Sequence, residues 1–294
     1  MPSTSKLGTA FGLALCAAGL GLRRVGPGKR TLLLAVGVAR LAMAPRAAHG
    51  HAEPVTYPPL DVPKPVDDGV WIVDSALPGP LGRVFGIRMT VLRLPSGDLV
   101  LHSPTRITAP LLAALDRLGR VRHLVAPNLA HLSFIADWKR AYPEATLWAA
   151  PGVATRGKVR RGEVRIDREL HATPPEWGNA VALHLAPGGG GFTEAALFHR
   201  PSGTLVLTDL VFNLEATKVP PLLRPLIRLF GSLDPSGMPP PYLRALLKLR
   251  RRSLRDAARR LVALEPRRVV FAHGRWFEHD ATASLRHALR WLLD

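Results

Sequence analysis

The hydrophobic pattern in the centre of the chain predicts a strand–loop–helix–strand unit. The run at 121–126 has the length and apolar content of a short buried strand, and residues 131–142 then follow helical spacing. A second short strand is predicted at 145–149. This unit leaves Asn128 and His131 in the loop beyond the carboxyl end of its first strand. Because open α/β sheets bind ligands at that end, the loop is the first candidate for a functional site.

Two later strands end in a similar way, each with a polar side chain at its carboxyl end. The apolar run 204–209 ends at Asp209, and the run 269–272 is followed directly by His273. Together with His131, these two residues place a histidine, an aspartate and a histidine at three strand ends. This is the main chemical signal of the sequence.

The order of the other elements predicts two sheets. The segments 86–103 and 194–209 each carry two apolar runs around a Pro-Ser-Gly turn, which predicts two hairpins. A helix capped by Thr108 follows the first hairpin, and helices are predicted at 242–264 and 281–293 after the second. Strands in two groups, each followed by helices, favour a four-layer αββα sandwich over a single doubly wound sheet.

Composition divides the chain into three parts. Residues 1–52 are apolar and basic, with no acidic residue before Glu53. Residues 53–66 are proline-rich and predict an extended linker, and residues 67–294 predict the folded domain. The first part resembles an export signal or a hydrophobic hairpin on a membrane, and a leader translated from a misplaced start fits as well. We therefore expect a membrane-associated or exported protein through residues 1–50, with a cytoplasmic protein as the alternative.

The positive charge does not by itself indicate a nucleic-acid-binding protein. Seven of the cationic residues that make up the net charge of +18 precede Glu53, which leaves +11 (18 − 7) for residues 53–294. A dense basic run at 244–260 has only Tyr242 beside it as a base-stacking partner. We expect this run to be a solvated helix face first, a membrane-contacting surface second and a nucleic-acid interface last.

The single cysteine, Cys16, limits the kinds of site that the chain can form. It excludes an intramolecular disulfide and a cysteine-rich zinc site. Any metal ion would therefore have to be held by histidine, aspartate, glutamate or asparagine.

The residues of these elements resemble the DUF4336 family, a divergent branch of the metallo-β-lactamase-fold superfamily. The resemblance covers about residues 67–294 and rests on the segments RMTVLRL, LVLHSP, LVAPNLAHLSFIADWKRAYPEATLWAAPG, FHRPSGTLVLTDLVFNL and FAHG. It implies the superfamily's αββα fold, with a metal site at one edge of the sandwich.

The sequence departs from the superfamily's metal-binding motifs, and these departures imply a reduced site. The superfamily's HxHxDH motif would follow the strand at 121–126, where this chain has only Asn128 and His131. The corner at 187–190 lacks the usual histidine, and His102 stands where an aspartate often ends an early strand. A normal dinuclear zinc site is therefore not expected.

We expect instead one divalent ion, held by His131, Asp209 and His273. The additional candidates are His102, Asn128 and Glu194. Nitrogen and oxygen ligands without sulfur suit zinc first and iron or manganese as alternatives, and a degenerate site would hold no metal. Each residue also has a structural interpretation, because buried histidines are often only hydrogen-bonded and aspartate favours turns.

Two functions follow from these alternatives. With a metal-bound water, whose pKa the ion lowers towards 7, the protein would be a metal-dependent hydrolase of an unspecified small-molecule substrate. With too few ligands, it would be a non-catalytic member of the fold that acts as a binding or membrane-associated protein. Nucleic-acid processing is a weaker third hypothesis, and no catalytic residue besides the ligands is predicted.

Overall fold

The structure is a computed structural model that describes residues 56–78 and 84–294. Residues 56–75 and 86–294 form one compact unit, which contains every residue of the candidate site. The other unit combines 1–55 with 76–85, and only the strand ends at 76–78 and 84–85 are described in it. The predicted leader at 1–52 therefore lies outside the described residues. Within the described part, no helix is long and apolar enough to span a membrane.

The first sheet has seven strands in chain order. The pairs β1/β2 and β3/β4 are antiparallel, whereas β4 to β7 run parallel. Helix α1 (Ala109–Leu118) leads from β4 into β5, and helix α2 (Ile135–Ala141) leads from β5 into β6. The strands are β1 Lys64–Asp67, β2 Val70–Pro78, β3 Val84–Arg93, β4 Asp98–His102, β5 Arg120–Ala126, β6 Thr146–Ala149 and β7 Arg168–Glu169.

The second sheet has four strands in the order β12-β10-β9-β8, and a separate parallel pair joins β11 to β13. Strand β10 pairs antiparallel with β9 and parallel with β12. The strands are β8 Val181–Pro187, β9 Thr193–His199, β10 Thr204–Val206, β11 Phe212–Asn213, β12 Arg268–Val270 and β13 His273–Gly274. The later helices are α3 Gly157–Arg160, α4 Arg224–Leu229, α5 Pro241–Leu247, α6 Arg251–Ala263, α7 Ala281–Ala288 and α8 Arg290–Leu293.

The two hydrophobic clusters show the layer order. Strand β9 alternates between them, because Ala195 and Leu197 belong to the cluster shared with the first sheet and Ala196 to the cluster shared with α5 to α8. Such alternation is expected of a strand that is covered on both faces. The predicted four-layer αββα sandwich is confirmed.

Several predicted helices differ in detail from the observed ones. Thr108 caps α1 as expected, since the Leu111 amide donates to its Oγ1 at 3.2 Å. The basic helix predicted at 242–264 is interrupted by a 3-10 turn at Lys248–Arg250, which separates α5 from α6. The helix predicted from residue 131 begins only at Ile135, because the chain before it forms the loop that carries the site.

The segment predicted as an extended linker packs on the domain over its described part. Residues from Lys64 onwards form β1, and the Asp61 amide donates to the Asp74 carbonyl at 2.8 Å. Lys218 Nζ donates to the Thr56 carbonyl at 2.6 Å. Residues 56–66 are therefore bonded to the domain over part of their length, and β1, which contains Pro65, is extended as the prolines predict. The domain limits as a whole stay a prediction, because residues 1–55 are not described.

Candidate metal centre

The structure brings the three predicted strand-end residues together. His131 lies in the loop after β5, Asp209 follows β10, and His273 begins β13 just after β12. His131 Nε2 is 3.3 Å from Asp209 Oδ2, and His273 Nε2 is 3.3 Å from Asp209 Oδ1. One potential ligand atom from each residue lies within 4.8 Å of the others. The three side chains thus form one compact group with two nitrogen donors and one carboxylate.

The hydrogen bond of His273 to the main chain fixes which of its nitrogens carries a proton. Its Nδ1 lies 3.1 Å from the Gly86 carbonyl oxygen, which can only accept, so Nδ1 is the protonated atom. Nε2 faces Asp209 Oδ1 at 3.3 Å. It donates a hydrogen bond to this oxygen when the ring is protonated, and in the neutral ring it presents a lone pair that a metal cation between the two atoms would bind. Phe212 stacks on the ring at a centroid distance of 4.5 Å and holds its plane.

His131 is held through Ser103, a residue that the sequence analysis did not single out. Ser103 Oγ lies 2.6 Å from His131 Nδ1, so Nε2 is directed at Asp209. A hydroxyl can donate or accept, and this contact therefore suits either neutral tautomer of the ring. Ser103 is buried and has φ of 58°, a left-handed conformation that is unfavourable for residues other than glycine.

Asp209 is a buried carboxylate surrounded by donors. Asn128 Nδ2 donates to its Oδ2 at 2.8 Å and also to Thr208 Oγ1 at 2.9 Å. Burial alone would raise the pKa of Asp209, but the charges and hydrogen bonds of His131 and His273 lower it below its usual range. The residue therefore supplies a fixed negative charge between the two imidazole rings.

Glu194, one of the additional candidates, accepts hydrogen bonds from the main chain of the turn that carries Asp209. Its Oε1 accepts from the Thr208 amide at 2.7 Å, and its Oε2 accepts from the amides of Asp209 at 2.7 Å and Leu210 at 3.1 Å. Burial and the nearby charge of Asp209 raise the pKa of Glu194 to about 7. Both oxygens are occupied by main-chain donors, so the structure does not bring Glu194 into the group as a ligand.

His102 and Asn128 also serve as supports. His102 Nε2 lies 2.9 Å from the Ala195 carbonyl and so carries a proton, and burial lowers the pKa of this ring to about 4. Asn128 Oδ1 accepts from the amides of Ala130 at 2.8 Å and His131 at 3.3 Å. These bonds form the turn that presents His131, and neither side chain joins the group of three.

Arg88 is a second support that the sequence analysis missed. It is buried on β3, and its Nη1 donates to the carbonyls of Phe271 and Gly274, both at 2.9 Å. Its Nη2 pairs with buried Asp74 at 2.7 Å. These bonds hold the chain on both sides of His273. A signal was present in the sequence, since an arginine within the apolar strand RMTVLRL is expected to need a buried partner.

Comparison with known proteins agrees with the fold described above. Residues 67–157 match the family described as "Domain of unknown function (DUF4336)". A metallo-beta-lactamase from Pontibacter korlensis is 15% identical, with a TM-score of 0.54 over 79% of this chain and 98% of its own. FIM-1 from Pseudomonas aeruginosa in the mono-zinc form is 11% identical, with a TM-score of 0.51 over 79% of this chain and 96% of its own. At these identities the likeness shows the fold alone. The curated proteins contain no significant match.

Proposed function

From a metallo-β-lactamase fold with a DUF4336 match over residues 67–157, we propose that this protein is a metal-dependent hydrolase with one divalent ion. His131, Asp209 and His273 are the proposed ligands. The observation that carries the proposal is the convergence of the three side chains, since one potential ligand atom from each lies within 4.8 Å of the others. The hydrogen bond to the Gly86 carbonyl places a proton of His273 on Nδ1 and so leaves Nε2 of the neutral ring to bind a cation.

The donor set fits such an ion. Two imidazole nitrogens and one carboxylate are a common ligand set of catalytic zinc sites, which keep a further position open for water. Each ring has a hydrogen-bond partner at Nδ1, Ser103 for His131 and Gly86 for His273, and such partners orient histidine ligands in metal sites. The absence of sulfur also suits iron or manganese, so zinc remains only the first expectation.

The chain's own residues have distinct roles in this proposal. A bound divalent ion would supply a water with a lowered pKa and would polarise the bond to be hydrolysed. Asp209 offsets the charge of the ion and stays ionised, so it is not assigned the role of proton acceptor. Phe212 covers one face of His273 and limits the access of water to that ring. The substrate stays unspecified, since the fold does not determine it.

One observation favours the second candidate function, a non-catalytic member of the fold that binds a partner, a small molecule or a membrane surface. The side chains of His131, Asp209 and His273 are only 9%, 6% and 17% exposed, so access to the group is narrow. A narrow opening is compatible with small substrates, but it would also suit a site that has lost its reaction.

The test is the metal content of the full-length protein, purified without chelators and compared with two variants. His131→Ala removes a proposed ligand, whereas His287→Ala removes an exposed histidine on α7 as the matched control. We expect about one metal ion per chain in the parent protein and in the control, with loss in His131→Ala. Hydrolysis of esters, lactones and phosphoesters is then measured with the same three proteins. Equal metal content in all three would refute the ligand assignment, and metal without any hydrolysis would favour the non-catalytic alternative.

A further inference from the structure

The excursion at 215–233, here called the leucine loop, leaves the domain beside the candidate metal centre and returns to the same place. The Leu214 amide donates to the Ser232 carbonyl, and the Asp234 amide donates back to the Leu214 carbonyl, both at 2.9 Å. These two bonds close the base of the loop. The base directly follows β11, whose Phe212 stacks on His273.

The outer side of the leucine loop presents a stripe of exposed apolar side chains. Leu222, Leu226 and Leu229 are 89%, 41% and 81% exposed. They are four and three residues apart along the 3-10 turn Pro221–Leu223 and helix α4, so they share one face. They are half of the six large hydrophobic residues that are exposed within 56–78 and 84–294. Such a concentration indicates a contact surface rather than chance exposure.

The charge of the leucine loop is mainly positive. From 215 to 233 the chain contains Lys218, Arg224 and Arg228, and its one acidic residue, Glu215, lies at the base of the loop. Lys218 and Arg224 bond to main-chain carbonyls, whereas Arg228 is exposed. Leucines on one face with basic residues nearby are typical of segments that lie in the interface of an anionic bilayer.

We propose that the leucine loop docks on an anionic lipid surface, with the three leucines entering the headgroup region. The helical stretch from Pro221 to Leu229 is far shorter than the roughly 20 residues that cross a bilayer, so it would lie on the surface. A second copy of this chain is a poorer occupant. A twofold contact through the stripe would place the positive charge of one copy against that of the other. The proposal does not depend on whether the neighbouring centre binds metal.

The test uses the full-length chain with a fluorophore on the loop. Cys16→Ser removes the only native thiol, and Leu226→Cys then accepts an environment-sensitive nitrobenzoxadiazole label. Ala154→Cys, at an exposed position of the first half of the domain, is the labelled control. We expect a blue shift at position 226 with phosphatidylglycerol vesicles, a much weaker one with phosphatidylcholine vesicles, and none at position 154. Adding Leu222→Ser and Leu229→Ser should raise the lipid concentration for half-maximal signal about tenfold.

Three outcomes would overturn the proposal. Sedimentation with vesicles but no shift at position 226 would assign the binding to another part of the chain. Equal blue shifts with phosphatidylglycerol and phosphatidylcholine vesicles would show that the charge of the lipid does not contribute to binding. A shift that grows with protein concentration in the absence of lipid would assign the stripe to a second copy. Unchanged melting of the Leu222→Ser/Leu229→Ser variant is the control for folding, and both side chains are exposed enough to expect it.

Discussion

Replacement of Ser103 tests whether this residue orients the His131 ring while contributing little to the stability of the fold. The residue has φ of 58° and is 5% exposed, and its side chain contacts His131 Nδ1 at 2.6 Å. A left-handed conformation costs a residue with a Cβ about 1–2 kcal/mol. The hydrogen bond to His131 stabilises the fold by a net amount of about 1 kcal/mol. Ser103 therefore contributes little to stability, and its value should lie in orienting the ring.

Two variants separate these contributions. Ser103→Ala keeps the unfavourable backbone and loses the bond, so its free energy of unfolding should fall by about 1–2 kcal/mol. Ser103→Gly loses the same bond but removes the backbone cost, and it should be more stable than Ser103→Ala by about 1 kcal/mol. Both should bind metal about 10–100-fold more weakly than the parent, because loss of a partner at Nδ1 commonly has that effect.

The assays are urea unfolding of the metal-free proteins and competition with a chromophoric chelator for zinc. Ser253→Ala, at an exposed position of α6, is the matched control and should change neither quantity. Parent-like zinc affinity in Ser103→Gly would refute the orienting role. If Ser103→Gly is no more stable than Ser103→Ala, the argument from the left-handed backbone is wrong.

Two further predictions concern the supports of the site. The pKa of His102 is about 4 in the fold against about 6.5 when unfolded, so its contribution to stability is present above pH 6.5 and is lost as the pH falls towards 4. Between pH 7 and pH 5, the free energy of unfolding of the parent should therefore fall by about 2 kcal/mol more than that of His102→Gln, as measured by urea unfolding. The same dependence on pH in both proteins would contradict this prediction. Arg88→Met should cost about 3–5 kcal/mol, because it leaves Asp74 buried with only Lys64 as a partner. The double variant with Asp74→Asn should recover part of that loss, and strictly additive losses would count against a buried pair.

The sequence was sufficient for the layer order and for the three residues of the group, because both follow from local patterns. Strand ends are marked by the change from apolar to polar residues, and parallel strands bring their carboxyl ends to one edge. His131, Asp209 and His273 could therefore be placed together before any distance was known. The resemblance to a known family implied the same αββα order, and the likeness to solved structures shows it.

The sequence marks Arg88 as a strand arginine that needs a buried partner, but the partners of the supports could not be predicted, because they depend on contacts between residues that are distant in the chain. Ser103 and His131 are 28 positions apart, and Arg88 and Phe271 are 183 positions apart. Glu194 shows the same limit in a residue that the sequence did single out. A buried carboxylate near the site resembles a ligand in sequence, and only the direction of its oxygens shows that they accept main-chain amides. A ligand and a supporting residue differ in the direction of their side-chain atoms, and the residue type does not determine that direction.

The contacts of Asp209 also bear on the number of ions that the proposed centre would hold. A carboxylate oxygen has two lone pairs, so a single hydrogen bond does not exclude a cation from it. Asn128 Nδ2 donates to Oδ2 at 2.8 Å, and His131 Nε2 lies 3.3 Å from the same oxygen, whereas Oδ1 faces His273. The number of ions is limited instead by the donor set, because a catalytic zinc ion takes about three protein ligands and His131, Asp209 and His273 supply three. This donor set favours a single ion, and Asn128 orients the carboxylate that would bind it.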